Sequence, residues 1–237
     1  MVTGNLKPDM ITLAIDTSAG TTSVALLNDD NILAEIFMNS GRNHAETLLP
    51  AIESLIGSVG LKAEQMDLFA FTAGPGSFTG LRVGASTIKG LAFVLDIPVV
   101  GVCTLDALVL NIPDFLLKKA VVCPVLDAGR GEVYTTLYTC SEMGIYAKTL
   151  KECVVRLDEF ISSMDGRVIF LGDAAEKYRN VIEELLPDRA LFMPSNLNHV
   201  RASAVGRVAR GKFCAGEISD IMTLTPDYLR ASYATKG

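Results

Sequence analysis

Apolar and polar positions along this chain fall into short runs of two kinds. Ile11 to Asp16 is continuously apolar and ends in an acid, the pattern of a buried strand reaching the edge of its sheet. After the turn Thr17-Ser18-Ala19-Gly20, the runs Thr22 to Leu27 and Ile32 to Phe37 flank Asn28-Asp29-Asp30-Asn31 and predict a hairpin, so that three strands form a meander. From His44 to Val59 the period changes. Leu48, Leu49, Ile52, Leu55, Ile56 and Val59 recur at helical spacing, with Pro50 tolerable only in a first turn or at a kink. A strand over Leu68 to Thr72, a Gly-Pro-Gly-Ser turn at 74–77, a helix over Thr79 to Leu95 and a strand over Pro98 to Val102 follow.

The order then restarts. Val121 to Asp127 predicts a strand ending in an acid, Ala128-Gly129-Arg130-Gly131 a turn, and Val133 to Tyr138 with Ile145 to Leu150 a second hairpin. Helices over Leu157 to Met164, Ala174 to Leu186 and Val200 to Ala215 surround a strand over Val168 to Leu171. Displaced by 111 residues, Asp16 falls on Asp127 and Gly20 on Gly131. A repeated strand–acid–turn–hairpin implies two like domains. The expected fold is α/β, a duplicated actin-like (RNase H-like) architecture. One subdomain covers 10–105 and the other 106–230, and the helix from about residue 200 is a candidate to pack back on the first. Residues 1–9 read as an appended polar tail.

Composition narrows the function classes. The chain has 237 residues, 49% of them hydrophobic, and no Trp, so core volume comes from aliphatic side chains. Mean hydropathy is +0.35, yet the best membrane candidate, Leu91 to Leu110, is interrupted by Asp96, Pro98, Gly101 and Asp106. The surplus apolar surface points to a protein–protein face. A net charge of −6 and a pI of about 5.0 disfavour an unaided grip on RNA. The basic row Arg201, Arg207, Arg210 and Lys212 reads as a solvated helix face. Five cysteines without a CxxC pair read as reduced thiols in a cytosolic protein.

Candidate chemistry is sparse. In a nucleotide cleft, Asp16, Ser18 and Gly20 and their counterparts Asp127 and Gly131 could face phosphates through backbone N–H groups and hold Mg²⁺ through the acids. Otherwise each Asp caps its own turn. That leaves an independent ATPase or small-molecule kinase as the alternative function. The run from Gly74 to Gly84 lacks the Lys of a P-loop and the Gly of a nucleophile elbow. Gly80 and Gly84, one turn apart with Thr87 near them, make a small-residue face that a helix of this chain or of a partner could approach. His44 and His199 are the only histidines and lack metal-site spacing, so His44 beside Glu46 reads as a cap or interface residue.

These stretches resemble the TsaB (YeaZ) family. The resemblance rests on Gly74-Pro75-Gly76-Ser77-Phe78-Thr79-Gly80-Leu81-Arg82, Ala14-Ile15-Asp16-Thr17-Ser18 and His44-Ala45-Glu46-Thr47-Leu48-Leu49-Pro50. It also rests on Leu126 to Tyr134 and Pro226-Asp227-Tyr228-Leu229-Arg230. Gly129 departs from it, standing where larger residues are common. The resemblance implies a cytosolic scaffold, not itself an enzyme, in the synthesis of threonylcarbamoyladenosine in tRNA. It implies pairing with a TsaD-type paralogue that carries the metal and the transferase site, a TsaE-type ATPase as third subunit, and self-association when alone. Transfer RNA would be met only through the complex, with no membrane involved. ATP or ADP and a metal would belong to the partners, and the chain would hold no cofactor of its own. The family's pairing surface lies on the helices at 44–59 and 79–95, which nominates His44, Leu48, Ile52, Gly80, Arg82, Gly84 and Thr87 as interface residues. An older peptidase name in the wider family finds no nucleophile–base pair or metal motif here.

Overall fold

The computed structural model describes residues 9–41, 43–113, 120–140, 146–227 and 229. Residues 1–8, Ile145 at the start of an expected strand, and Tyr228 and Arg230 of the last family stretch lie outside them. The chain divides into two units, one running to Ala107 and including Val200–Asp227, the other Leu108–His199 with the residues after Asp227.

In the first unit β1 (Ile11–Asp16), β2 (Thr22–Asn28) and β3 (Asn31–Met38) form the antiparallel meander. β4 (Leu68–Gly74) and β5 (Val99–Cys103) extend it in parallel, giving the order β3-β2-β1-β4-β5. The parallel strands are buried on both faces, which is why they read as unbroken apolar runs. α1 (His44–Ser58) and α2 (Phe78–Leu95) cover one face, with Leu48, Ile52, Leu55, Ala85 and Ile88 in a core with Leu13, Ile15 and Phe71. α1 continues through Pro50, whose exposed side of the helix lets water serve the carbonyl left without a donor. α7 (Ala202–Cys214) packs on the other face, where Gly206 lies so close that an added Cβ would meet Leu27 at 2.5 Å. α3 (Thr104–Val109) runs across the boundary between the units.

The second unit repeats the plan. β6 (Val121–Gly129) pairs antiparallel with β7 (Glu132–Thr135), β7 with β10 (Cys153–Arg156), and β6 in parallel with β11 (Val168–Leu171), which pairs with β12 (Ala190–Phe192). The resulting order β10-β7-β6-β11-β12 matches the first sheet strand for strand. A separate core of Cys123, Val125, Val133, Ile161, Phe170 and Ile182 fills it.

Two expectations are corrected here. The run Val133 to Tyr138 is not one strand. Thr135 donates its hydroxyl to the Pro124 carbonyl and Thr136 donates to that of Leu150, which turns the chain out of the ladder. β8 (Tyr138–Cys140) then pairs with β6 and with β9 (Tyr146–Lys148), and the edge of the repeated sheet is taken by β10. The helix expected over Ala174 to Leu186 is two, α5 (Asp173–Lys177) and α6 (Arg179–Leu185), broken at Tyr178. α4 (Leu157–Ser162) precedes β11.

Candidate functional site

Asp16 ends β1 and is fully buried. Its Oδ1 accepts from the Ser18 backbone N–H at 3.1 Å, the Ser18 hydroxyl at 2.6 Å and the Thr72 hydroxyl at 2.8 Å. Its Oδ2 has no partner among the described residues. Burial raises its pKa, and the bonds from Ser18 and Thr72 only partly oppose that. The space in front of the turn is filled by the chain itself. Ser77 N–H donates to the Ser18 carbonyl at 2.7 Å, and a Cβ at Gly76 or Gly80 would stand 2.2 Å from the Ser18 oxygen or 2.0 Å from the Thr17 oxygen. A phosphate needs free N–H groups and a metal needs an ionised, open carboxylate. The Asp16 carboxyl is fully buried beneath this segment, so it does not present an open ligand to Mg²⁺.

Around that turn the sequence nominees take unexpected places. His44 Nε2 lies 2.9 Å from the Ala19 carbonyl, which only accepts, so this nitrogen carries the proton. Nδ1 faces the Thr22 hydroxyl at 2.8 Å. Both ring nitrogens are thus engaged inside the chain, and the cap of α1 is Asn43, which accepts from Ala45 N–H. Gly80 admits the start of α1, the His44 ring lying 3.3 Å from where a Gly80 Cβ would be, but a turn of the first unit comes closer to both glycines. Thr17 fills the space, its hydroxyl donating to the Gly80 carbonyl at 2.8 Å and standing 2.5 Å from where a Gly84 Cβ would be. Leu48 and Ile52 are likewise buried in the core of the first unit. Of the nominated interface residues only Arg82, stacked 3.9 Å over the Phe78 ring, is exposed, while Thr87 and His44 are half-buried.

The outward side of α1 and α2 is what remains. Leu49 is 46% exposed, Phe93 72% and Val94 79%, well beyond what a solvated helix face needs. Glu46 and Glu53 on α1 and Arg82 on α2 are exposed as well, while the half-buried Lys89 donates to the Met222 carbonyl at 3.2 Å. By length and mean hydropathy α2 alone among the described residues could span a membrane. Arg82 and Lys89 interrupt it and one face is core, and it overlaps the interrupted run Leu91 to Leu110 only over 91–95.

The second acid turn is open. Asp127 Oδ2 takes an ion pair from Lys177 Nζ at 2.6 Å, and Oδ1 accepts from Gly129 N–H at 3.2 Å and the Tyr178 hydroxyl at 3.2 Å. Burial alone would raise its pKa, but Lys177, Gly129 and Tyr178 together hold it below the usual carboxylate value. Behind it Asp173, whose pKa burial raises, accepts from Asp127 N–H at 3.0 Å. Gly129, Arg130 and Gly131 all take positive φ in the turn, which explains the small residue at 129. Gly20, nominated with Asp16 and Ser18, is exposed and meets nothing. The sequence did not nominate Thr17, Thr22, Thr72, Lys177 or Tyr178, because only the fold brings them to the two acids.

The basic row on α7 is committed within the first unit. Arg201 pairs with Glu35, Arg210 with Asp29 and Asp30, Arg207 donates to the Asp30 carbonyl, and Lys212 lies 3.7 Å from Glu217.

Two units with one strand order, each a meander extended in parallel and each with an acid at the end of its first strand, define an actin-like fold. The family model described as tRNA N6-adenosine threonylcarbamoyltransferase, TsaD, matches residues 31–237. The tRNA threonylcarbamoyladenosine biosynthesis protein TsaB of Bacillus subtilis (strain 168) is 32% identical over 95% of this chain and 96% of its own length. The protein of the same description from Escherichia coli (strain K12) is 29% identical over 94% and 96%. Among solved structures, YeaZ from Pseudomonas aeruginosa superposes with a TM-score of 0.77 at 28% identity, covering 92% of this chain and 99% of its own. The chain belongs to the TsaB (YeaZ) family, within the wider group that the TsaD model describes.

Proposed function

We propose that this chain is the supporting, non-catalytic subunit in the synthesis of threonylcarbamoyladenosine in tRNA. Participation in that synthesis rests on the relatives that share nearly its whole length. The finer reading rests on one observation. The first acid turn is closed by the chain's own Gly-Pro-Gly-Ser-Phe-Thr-Gly segment, and the second has its acid tied to Lys177.

The partner in this reading is a TsaD-type transferase, met on the outward side of α1 and α2. Leu49, Phe93 and Val94 supply apolar anchors, and Arg82 and Glu53 supply a charged rim. If self-association uses the same side, the free chain's own pairing competes with the heterodimer. A TsaE-type ATPase joins the pair. ATP or ADP and a metal belong to those subunits, the chain itself holding neither, and tRNA is held by the assembly in the cytosol. The commitment of the α7 arginines to internal ion pairs supports that division.

The test is threonylcarbamoyl transfer to tRNA with the adenylate donor supplied, comparing this chain alone, the TsaD and TsaE partners alone, and the full mixture. Transfer only in the full mixture is the expected result. Transfer by this chain alone would contradict the reading.

A further inference from the structure

One turn of the first unit serves both helices of the proposed pairing face. Toward α1 it offers the Ala19 carbonyl and the Thr22 hydroxyl to the two nitrogens of His44. Toward α2 it offers the Thr17 hydroxyl to the Gly80 carbonyl and the Ser18 carbonyl to Ser77 N–H. The helices meet at the same point, since a Gly80 Cβ would stand 3.3 Å from the His44 ring. Elsewhere both helices rest on the sheet through aliphatic side chains. Apolar contact is non-directional and leaves a helix free to slide or roll, whereas hydrogen bonds fix distance and angle.

We propose that the Asp16–Thr22 turn, the place of a phosphate turn in a nucleotide-binding relative of this fold, is here a positioning hub that sets α1 against α2. His44, Thr17 and Thr22 are positioning residues. They need not touch a partner, and they preorganise the face that does, so that less ordering cost is met on binding. This inference rests on the pairing reading above.

The experiment measures the affinity of the full-length chain for the transferase-type partner well below the thermal midpoint, for Thr22→Val, His44→Gln and the double variant. Leu49→Asp serves as the variant of the face itself. Thr22→Val and His44→Gln should each weaken pairing about fivefold, the equivalent of one net hydrogen bond. The double variant should weaken it by less than the two singles combined, because Thr22 acts largely through the His44 ring, its contact with Thr47 of α1 being longer at 3.5 Å. Lowered thermal midpoints with unchanged affinity would overturn the hub. An unchanged affinity in Leu49→Asp would instead overturn the pairing reading. Should His44→Gln fail to fold, Thr22→Val, which keeps the ring and the shape of the strand residue, decides alone.

Discussion

Asp16 carries three hydrogen bonds on one oxygen and leaves the other buried without a partner among the described residues. A carboxyl in that position favours its proton, and the consequence is a pH dependence of definite sign. With the folded pKa raised above the ordinary 3.8, the stability gained from the proton is fully present below the unfolded value and is lost as pH rises through the folded one. Asp16→Asn keeps the accepting oxygen and removes the ionisation. Its thermal midpoint relative to the unmodified chain should therefore climb as pH is raised from 4 to 9, and a difference independent of pH would show that Asp16 does not titrate in this way. Asp127 works in the opposite sense. Held low by Lys177, Gly129 and Tyr178, its contribution is present above the unfolded value and lost in acid, and it is small because Lys177 is exposed and Asp127 only half-buried.

Among the elements, α2 is held most tightly where glycine permits backbone contact. Gly80→Ala drives a Cβ into the Thr17 carbonyl oxygen and should cost about 1–3 kcal/mol or prevent folding. Gly20→Ala, in open space, should change stability by less than about 0.5 kcal/mol. Denaturant titration of the two variants checks both. α7 depends on a carboxylate from another element, since Glu35 on β3 accepts from Ser203 N–H and its hydroxyl and pairs with Arg201. Glu35→Ala leaves Ser203 N–H in the first turn without its acceptor, beside a half-buried arginine, and should cost about 1–3 kcal/mol, again by denaturant titration.

Much of this was legible in the sequence. The meander, α1, α2 and the restart at residue 121 follow from periodicity and from acids at strand ends. Tyr178 was not legible, because its reach to Asp127 breaks a run that contains neither Gly nor Pro. Nor was β10, three half-buried residues and an exposed arginine without alternation, whose place is set by β7. The small-residue face of α2 was expected to admit a helix, and at Gly80 the His44 ring of α1 does come close. What approaches closest is a threonine from a turn more than sixty residues earlier, and spacing along one helix cannot reveal that.

At the scale of the whole molecule, one strand order appears twice and its two acids have diverged. One is sealed beneath the family's glycine-rich segment, and the other is partly exposed and ion-paired. The outward side of α1 and α2 carries the exposed apolar anchors. Phe93→Asp should therefore leave the thermal midpoint of the free chain nearly unchanged while abolishing transfer in the reconstituted mixture, and a coupled loss of both would place Phe93 in the fold instead. The central claim is that neither acid performs chemistry. The most direct measurement is the rate of threonylcarbamoyl transfer by the full mixture containing the Asp16→Asn, Asp127→Asn double variant. The account predicts a rate within about twofold of the unmodified mixture, and a fall of about a hundredfold or more, the usual cost of removing an acid–base group, would contradict it.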